Sequence, residues 1–201
     1  MIKVLVAEDQ NMIREALVAL LGRDGEIEVV AEAGDGEEAV QLALRVEPEV
    51  AILDLDMPRR DGLWAAEQLH QQLPSCHVLI LTVFDRPGYL RRAIDSGAAG
   101  FLLKGSRANQ LLDAVRRTAA GERVIDPKLA VRALTVGENP LTAREREALA
   151  MSLDGSSIET IAAKLHLTAG TVRTYLSVAI QKLSAQNRVE AARIAEENGW
   201  L

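Results

Sequence analysis

Acidic side chains stand at the end of two apolar runs in the first third of the sequence. Glu8 and Asp9 follow the run IKVLVA, and Asp54 and Asp56 end the run in AILDLDMP. Carboxylate oxygens are the ligands that hard cations such as Mg²⁺ prefer. Two unit charges about 4 Å apart repel by roughly 4 kcal/mol at an effective dielectric near 20, so carboxylates brought together favour a bound counter-ion. If the two runs are neighbouring strands, these side chains predict a cation site.

A hydroxyl and an ammonium group end two further apolar runs. Thr82 closes VLILT, and Lys104 closes GFLLK. Together with a metal ion, Lys104 would offset the charge of a phosphoryl group, and Thr82 would donate a hydrogen bond to it. Asp54 would then be the nucleophile that forms an acyl phosphate. Each residue alone has an ordinary structural interpretation, such as a turn or helix cap for an aspartate after a strand. Their combination indicates phosphoryl chemistry.

The first 120 residues show the elements that would position these side chains. Apolar runs rich in branched residues alternate with segments of helical spacing. The runs are Ile2–Ala7, Ile27–Ala31, Val50–Leu53, Val78–Val83 and Gly100–Leu103. Near-continuous apolar strands that alternate with helices predict a parallel sheet covered on both faces. Right-handed crossovers make this an α/β doubly wound five-stranded fold, in which sites lie outside the carboxyl ends of the strands.

The second part of the chain has a different pattern. Residues 121–140 hold two glycines, two prolines and little periodicity, which indicates a linker, with a short helix around Pro127–Leu134. From residue 141 the spacing is helical, and four helices fit, at about 142–153, 157–165, 169–183 and 187–197. We therefore predict an α/β domain over 1–120, a linker over 121–140 and a small all-α four-helix domain over 141–201.

The composition is that of a soluble globular protein, with 201 residues, 48% hydrophobic and 26% charged. No apolar run approaches the roughly 20 residues of a membrane-spanning helix, and the first residues lack the pattern of a signal peptide. The single cysteine, Cys76, excludes an internal disulfide, and no cysteine–histidine spacing fits a zinc site. We expect a cytoplasmic protein that makes no contact with a membrane.

The net charge of −6 is unevenly distributed along the chain. Residues 141–201 hold seven basic and seven acidic side chains, so the excess of acids lies in the first 140 residues. From Thr160 to Val189 there are four basic side chains and no acid. A local basic surface on an acidic protein permits nucleic-acid binding.

Two helical segments in the acid-free stretch are joined by a tight turn. The segment Ala169–Leu183 begins after Thr168, which is a favourable N-cap. His166 stands where the preceding helix ends, at a position where histidine tolerates the left-handed conformation. Apolar side chains fall on one face of the second segment and small polar ones on another. The pattern predicts a helix-turn-helix DNA-binding unit, although most helical hairpins bind no DNA.

The first 120 residues resemble the response-regulator receiver family. Its members carry an acidic pair after the first strand, D-x-x-M-P after the third, Thr or Ser after the fourth and Lys after the fifth. This sequence shows the pair ED, the run DLDMP that begins at Asp54, and then Thr82 and Lys104. The resemblance implies that Thr82 turns toward a bound phosphoryl group and that Phe101 moves with it. One departure is Gly105, where an acid often follows the lysine.

The receiver resemblance also implies a phosphoryl donor and a metal ion. Asp54 would accept its phosphoryl group from a partner histidine kinase. Mg²⁺ would be held by Asp9, Asp54 and the backbone carbonyl of Asp56, with Glu8 acting through water.

The segment 141–195 resembles the LuxR-type helix-turn-helix domain. The matching residues are Leu141-Thr142, Arg144-Glu145, Gly155, Ile161-Ala162, Leu165, Thr171-Val172, Lys182-Leu183, Asn187-Arg188 and Ala191. The resemblance implies that Ala169–Leu183 enters the major groove. By position, the residues at base edges are Arg173, Thr174 and Ser177. Those at phosphates are Lys164, Thr171, Tyr175 and Lys182. Ser177 stands where many relatives carry a basic residue.

A receiver followed by a LuxR-type domain resembles the NarL/FixJ class of transcription regulators. This implies a regulator and not an enzyme, in which phosphorylation promotes dimerisation through the first and fifth helices and binding to double-stranded promoter DNA. RNA polymerase is a further expected partner. The stretches RPGYLRRAIDSGAAGFLLK, GTVRTYLS and ENGW resemble a subgroup that controls membrane-lipid desaturation.

Two other functions remain open from the sequence. One is a regulator that works without phosphorylation and uses the receiver-like domain as an interaction module. The other is an aspartate-nucleophile phosphatase, since Asp54-x-Asp56 is similar to the motif of haloacid-dehalogenase phosphatases. The following Met57-Pro58, the position on the third strand and the lack of a cap domain in the sequence weigh against the phosphatase.

Overall fold

The computed structural model describes residues 1–83, 87–126, 130–131 and 139–201. The chain divides into two compact units. Of the described residues, the first contains 1–83, 90–126 and 130, and the second contains 87–89, 131 and 139–201.

The first unit is a parallel sheet with alternating helices. The strands are β1 Ile2–Ala7, β2 Ile27–Ala33, β3 Val50–Leu53, β4 His77–Thr82, β5 Gly100–Leu103 and β6 Val124–Ile125. The helices are α1 Asn11–Leu21, α2 Gly36–Val46, α3 Gly62–Gln72, α4 Pro87–Asp95 and α5 Ala108–Ala119. All recorded strand pairs are parallel, and the order in the sheet is β2-β1-β3-β4-β5-β6. The doubly wound α/β fold is therefore confirmed.

Burial of the strands explains their composition. The side chains of β3 are all buried, and those of β4 are buried from Val78 onward. Side chains from β1, β3, β4 and β5 form one core with residues of α5. The strand order reverses around β1, which lies between β2 and β3, and this puts the crevice of the fold at the carboxyl ends of β1 and β3.

The sixth strand differs from the prediction. Val124 and Ile125 pair with Gly100 and Phe101 at the edge of the sheet, within the segment predicted as a linker. Two residues are too few to show a strand period, so only the tertiary contact with β5 reveals this element. The short helix predicted around Pro127–Leu134 lies mostly outside the described residues.

The second unit is a bundle of four helices, as predicted. They are α6 Ala143–Ala150, α7 Ile158–Leu165, α8 Ala169–Lys182 and α9 Arg188–Glu197. Each begins after a residue whose side chain accepts a backbone N–H bond of the first turn, namely Thr142, Ser157, Thr168 and Asn187. Small and branched apolar side chains from all four helices form the core.

The turn between α7 and α8 has the predicted conformation. His166 ends α7 with φ 56° and ψ 42°, in the left-handed region. Its N–H donates to the carbonyl of Ala163, and the N–H of Leu167 donates to that of Ala162 at 2.9 Å. In the described part of the chain, no helix has the length and apolar character needed to cross a bilayer.

Candidate functional site

Three carboxylates meet at the carboxyl ends of β1 and β3. The backbone N–H of Asp54 donates to the carbonyl of Ala7 at 2.9 Å, which fixes the two strand ends side by side. One carboxylate oxygen from each of Glu8, Asp9 and Asp54 lies within 4.8 Å of the others. Glu8 and Asp54 are buried and Asp9 is exposed. The structure thus brings together the three acids expected to serve as metal ligands.

Lys104 joins this cluster from the end of β5. Its Nζ lies 2.6 Å from Oε2 of Glu8 and 3.0 Å from Oδ1 of Asp54. Its backbone N–H donates to the carbonyl of Thr82 at 2.7 Å, so the ends of β4 and β5 are tied together. Burial alone would lower the pKa of Lys104, but the hydrogen bonds and charges of Glu8 and Asp54 outweigh it and raise that pKa.

The electrostatics of Asp54 favour a cation. Burial raises the pKa of its carboxyl above the usual value, although the bonds from Lys104 and from the N–H of Leu55 act in the opposite direction. One lysine therefore stabilises the ionised form incompletely, and a nearby cation would stabilise it further. The all-oxygen donors of Glu8, Asp9 and Asp54 fit the preference of Mg²⁺. The acids present are thus chemically suited to that ion.

The other residues predicted for this site occupy defined positions near the cluster. Thr82 is fully buried at the end of β4, and Phe101 is buried in β5 opposite Ile80 of β4. The side chain of Asp56 is exposed on the loop between β3 and α3, which is consistent with a role for its backbone and not its carboxylate. Gly105 is exposed, and a Cβ there would meet no atom within 4 Å.

Gly62 is a residue at this site that the sequence did not single out. Its N–H donates to the carbonyl of Leu55 at 3.1 Å. A Cβ at this position would lie 2.0 Å from the carbonyl oxygen of Asp54, closer than any real contact. The absence of a side chain lets the first turn of α3 approach the backbone of Asp54. The pair Asp61-Gly62 just before a helical pattern is the signal that could have indicated this.

The predicted DNA-binding residues of the second unit are exposed or half-buried. Arg173, Thr174 and Ser177 are exposed on α8, as are Lys164 on α7 and Lys182 at the end of α8. Thr171 and Tyr175 are half-buried. The opposite face of α8 is buried in the core through Val172, Leu176 and Ala179. The helix therefore has one packed face and one polar face.

Two of these basic side chains have acidic partners within the unit. Nη2 of Arg173 lies 3.3 Å from Oε1 of Glu159, and both side chains are exposed. Nζ of Lys182 lies 3.0 and 2.7 Å from the two oxygens of Glu145, which is buried. Burial would raise the pKa of Glu145, but Lys182 and the N–H of Thr142 outweigh it and lower that pKa. The spacing Thr142-x-x-Glu145 is a capping-box signature that could have drawn attention to Glu145.

Comparison with protein families matches both units. Residues 4–116 match the model of the response regulator receiver domain. Residues 139–195 match the model of bacterial regulatory proteins of the luxR family.

Similar proteins match over the whole chain. YvfU of Bacillus subtilis (strain 168), an uncharacterized transcriptional regulatory protein, is 46% identical over 201 residues, which is 100% of both chains. The transcriptional regulatory protein DesR of the same organism is 42% identical over 201 residues, again 100% of both. The crystal structure of the response regulator ChrA, from a heme-sensing two-component system, is 32% identical with a TM-score of 0.60, and the match covers 100% of this chain and 98% of ChrA.

Proposed function

Because the chain belongs to the two-component response regulators that join a receiver domain to a LuxR-type DNA-binding domain, we propose that it is a transcription regulator switched by phosphorylation of Asp54. We assign the receiver to residues 1–120, the linker to 121–140 and the DNA-binding domain to 141–201. The family supports a regulatory role without catalytic turnover of a substrate.

The observation that carries the proposal is the ion-paired position of Asp54. Its carboxylate is buried next to Glu8 and Asp9 and bonded to Lys104. In the proposed step, an oxygen of Asp54 attacks the phosphorus of a phosphohistidine on a partner kinase. The new P–O bond forms as the P–N bond breaks, and the electron pair of that bond returns to the imidazole. The product is an aspartyl phosphate.

The residues around Asp54 have separate roles in this step. A Mg²⁺ ion held by Asp9, Asp54 and the Asp56 carbonyl would supply compensation for the negative charge of the phosphoryl oxygens. Lys104 would move its ammonium group from the carboxylate to a phosphoryl oxygen. Thr82 would donate its hydroxyl hydrogen to another of these oxygens.

We further propose that phosphorylation pairs two chains through α1 and α5. An apolar groove lies between these helices, with a volume of about 250 Å³. Its lining includes Ile13, Leu17, Leu20, Leu103 and Leu111. Lys104 also lines the groove, so a change in the position of its side chain reaches this surface directly. Burial of such a surface stabilises a dimer.

The paired chains would present two copies of α8 to successive major grooves. We expect Arg173, Thr174 and Ser177 to reach base edges, and their exposure on the polar face of the helix supports this role. We expect Lys164, Thr171, Tyr175 and Lys182 to contact phosphates, and all four side chains are exposed or half-buried. Contact with DNA would require Arg173 and Lys182 to exchange or share their acidic partners Glu159 and Glu145.

The phosphoryl-acceptor role is tested by intact-protein mass spectrometry after incubation with phosphoramidate and Mg²⁺. We expect the wild-type chain to gain one phosphoryl group and Asp54→Asn to gain none. Light scattering with beryllofluoride, which mimics the phosphoryl group, should show a shift from monomer to dimer in the wild type only. Absence of any modification in the folded wild type would contradict the proposal. Steady release of phosphate from phosphate monoesters would favour the phosphatase.

DNA binding is tested by selecting duplexes from a random pool with the beryllofluoride-activated chain. Band shifts with the selected duplex should then require activation. Arg173→Ala should lower the affinity for that duplex by about fivefold to 150-fold, as expected when a base contact worth about 1–3 kcal/mol is lost. Equal binding with and without beryllofluoride at every concentration would favour the phosphorylation-independent regulator. The similarity to YvfU is as extensive as that to DesR, so control of lipid desaturation stays a prediction for the selected sequences to test.

A further inference from the structure

Asp35 is a buried carboxylate that lies outside the acidic cluster. It has no exposed surface and forms the N-cap of α2. Its Oδ1 accepts the N–H of Glu38 at 2.9 Å, and its Oδ2 faces the guanidinium of Arg59. A buried charge is strongly unfavourable unless it is paired, and removal of one partner leaves the other uncompensated. Asp35 therefore depends on Arg59 for its charge balance.

Arg59 occupies a strained position in the loop between β3 and α3. Its φ is 61°, in the left-handed region. The N–H of Arg60 donates to the carbonyl of Pro58 at 2.7 Å and closes a three-residue turn around Arg59. Such a γ-turn with positive φ is uncommon for a residue other than glycine and persists only where surrounding contacts enforce it. The ion pair with Asp35 is such a contact.

A second contact fixes the same loop against α2. The N–H of Gly36 donates to the carbonyl of Arg60 at 2.9 Å. A Cβ on Gly36 would lie 2.6 Å from that carbonyl oxygen, so the backbone of α2 sits directly on the backbone of the loop. The first turn of α2 thus holds Arg59 through its side chain and Arg60 through its main chain.

We propose that Asp35 and Arg59 are positioning residues, which hold the β3–α3 loop in the form that presents the backbone carbonyl of Asp56 to a divalent cation. This inference rests on the proposed function, because it takes the cluster of Glu8, Asp9 and Asp54 as the cation site. Asp35 and Arg59 act through the loop backbone, which is held at Arg59 and Arg60, three and four residues after Asp56. Neither side chain contacts the cation itself.

Electrostatics and positioning predict opposite effects for the loss of Arg59. Removal of its positive charge reduces the repulsion of a cation, so the field alone predicts tighter metal binding. Loss of the loop conformation predicts weaker binding, because one ligand is no longer in place. Arg59→Ala therefore separates the two explanations. Asp35→Asn removes the charge but keeps an oxygen for the N–H of Glu38.

The test is a titration of the full chain with Mn²⁺, a spectroscopic substitute for Mg²⁺, in which electron paramagnetic resonance measures the free ion. We expect Arg59→Ala and Asp35→Asn each to weaken Mn²⁺ binding about tenfold, the lower end of the effect of residues that orient metal ligands. Arg59→Lys should recover most of the affinity for Mn²⁺, because a lysine keeps an ion pair with Asp35. Arg60→Ala is the matched control: it removes the same charge from the same loop, but that guanidinium lies over the ring of Trp64. It should bind Mn²⁺ at least as tightly as the wild type.

Urea denaturation of each variant separates positioning from stability. Wild-type or tighter Mn²⁺ binding by folded Arg59→Ala would overturn the inference and leave the pair a structural one. The same weakening in Arg60→Ala would also overturn it, since the effect would then not be specific to the pair. A wild-type chain that binds no Mn²⁺ would instead refute the metal site itself, and the proposed function with it.

Discussion

Replacing Gly62 with alanine should damage the first unit although alanine is the better helix former. Gly62 is the first residue of α3, where alanine alone would stabilise the helix by up to about 1 kcal/mol. The added Cβ would lie 2.0 Å from the carbonyl oxygen of Asp54. Contacts with backbone atoms cannot be relieved by a change of rotamer, so α3 or the end of β3 must move.

The size of the effect follows from that distance. Atoms in ordinary contact are roughly 3.5–4.0 Å apart, so relief of the overlap requires a shift of more than about 1 Å. Overpacking of a close-packed interior costs about 1–3 kcal/mol, and the upper end applies because the neighbour is main chain. After the gain in helix propensity, we expect a net loss of about 2 kcal/mol, which lowers the melting temperature of a unit of this size by roughly 8 °C.

The assay is urea and thermal denaturation of Gly62→Ala, followed by circular dichroism, with Gly105→Ala as the control. A Cβ on Gly105 would meet no atom within 4 Å, so the free energy of unfolding of Gly105→Ala should stay within about 0.5 kcal/mol of the wild-type value. Phosphoryl acceptance at a temperature where Gly62→Ala is folded should also fall, because the shift moves Asp54. Equal stability of Gly62→Ala and the wild type would refute the reasoning that this close approach fixes the loop after Asp54.

Three further predictions concern the rest of the chain. Thr168→Ala removes the hydroxyl that accepts the N–H of Thr171 at 3.1 Å and should destabilise the second unit by about 1 kcal/mol. The measurement is amide hydrogen exchange in α8, which should be faster in Thr168→Ala and unchanged in the control Thr168→Ser. The pKa of Glu145 is lowered in the folded state, so its ion pair with Lys182 stabilises the second unit at neutral pH, and this stabilisation is lost as the pH falls through the folded pKa. Glu145→Gln should therefore show less hydrogen-exchange protection than the wild type at neutral pH, and the difference should shrink on acidification. A difference that does not change with pH would contradict this. Burial raises the pKa of Cys76 to about 12, so iodoacetamide at pH 8 should alkylate it only after unfolding, with mass spectrometry as the readout.

The receiver site was predictable because its residues are fixed by the ends of strands. In a parallel sheet the carboxyl ends of neighbouring strands meet at one edge, so Glu8, Asp9 and Asp54 had to converge once β1 and β3 were adjacent. In the structure, one carboxylate oxygen from each of the three lies within 4.8 Å of the others, as this adjacency predicts. Lys104 follows β5 by the same logic, and its contact with Asp54 at 3.0 Å did not require knowledge of any loop.

Ion pairs between residues far apart in the sequence were not predictable in the same way. Asp35 and Arg59 lie in two different loops, where no periodicity relates one residue to another. Glu145 and Lys182 are 37 residues apart, and the resemblance to the LuxR-type domain included both residues without relating one to the other. A long polar side chain can reach several neighbours, and which one it pairs with depends on the exact positions of the backbones. The spacing of apolar residues does not give those positions.

The charge balance around Asp54 bears on how Lys104 would report the proposed phosphorylation. Three carboxylates lie near one ammonium group, and that group bonds both Glu8 and Asp54. A phosphoryl group on Asp54 would replace the carboxylate that Lys104 contacts with more strongly accepting oxygens. Any movement of Lys104 would be transmitted in two directions: to β4 through its backbone bond with Thr82, and to the apolar groove between α1 and α5 that it lines. One side chain thus connects the site where charge changes with the surface where we propose that two chains pair.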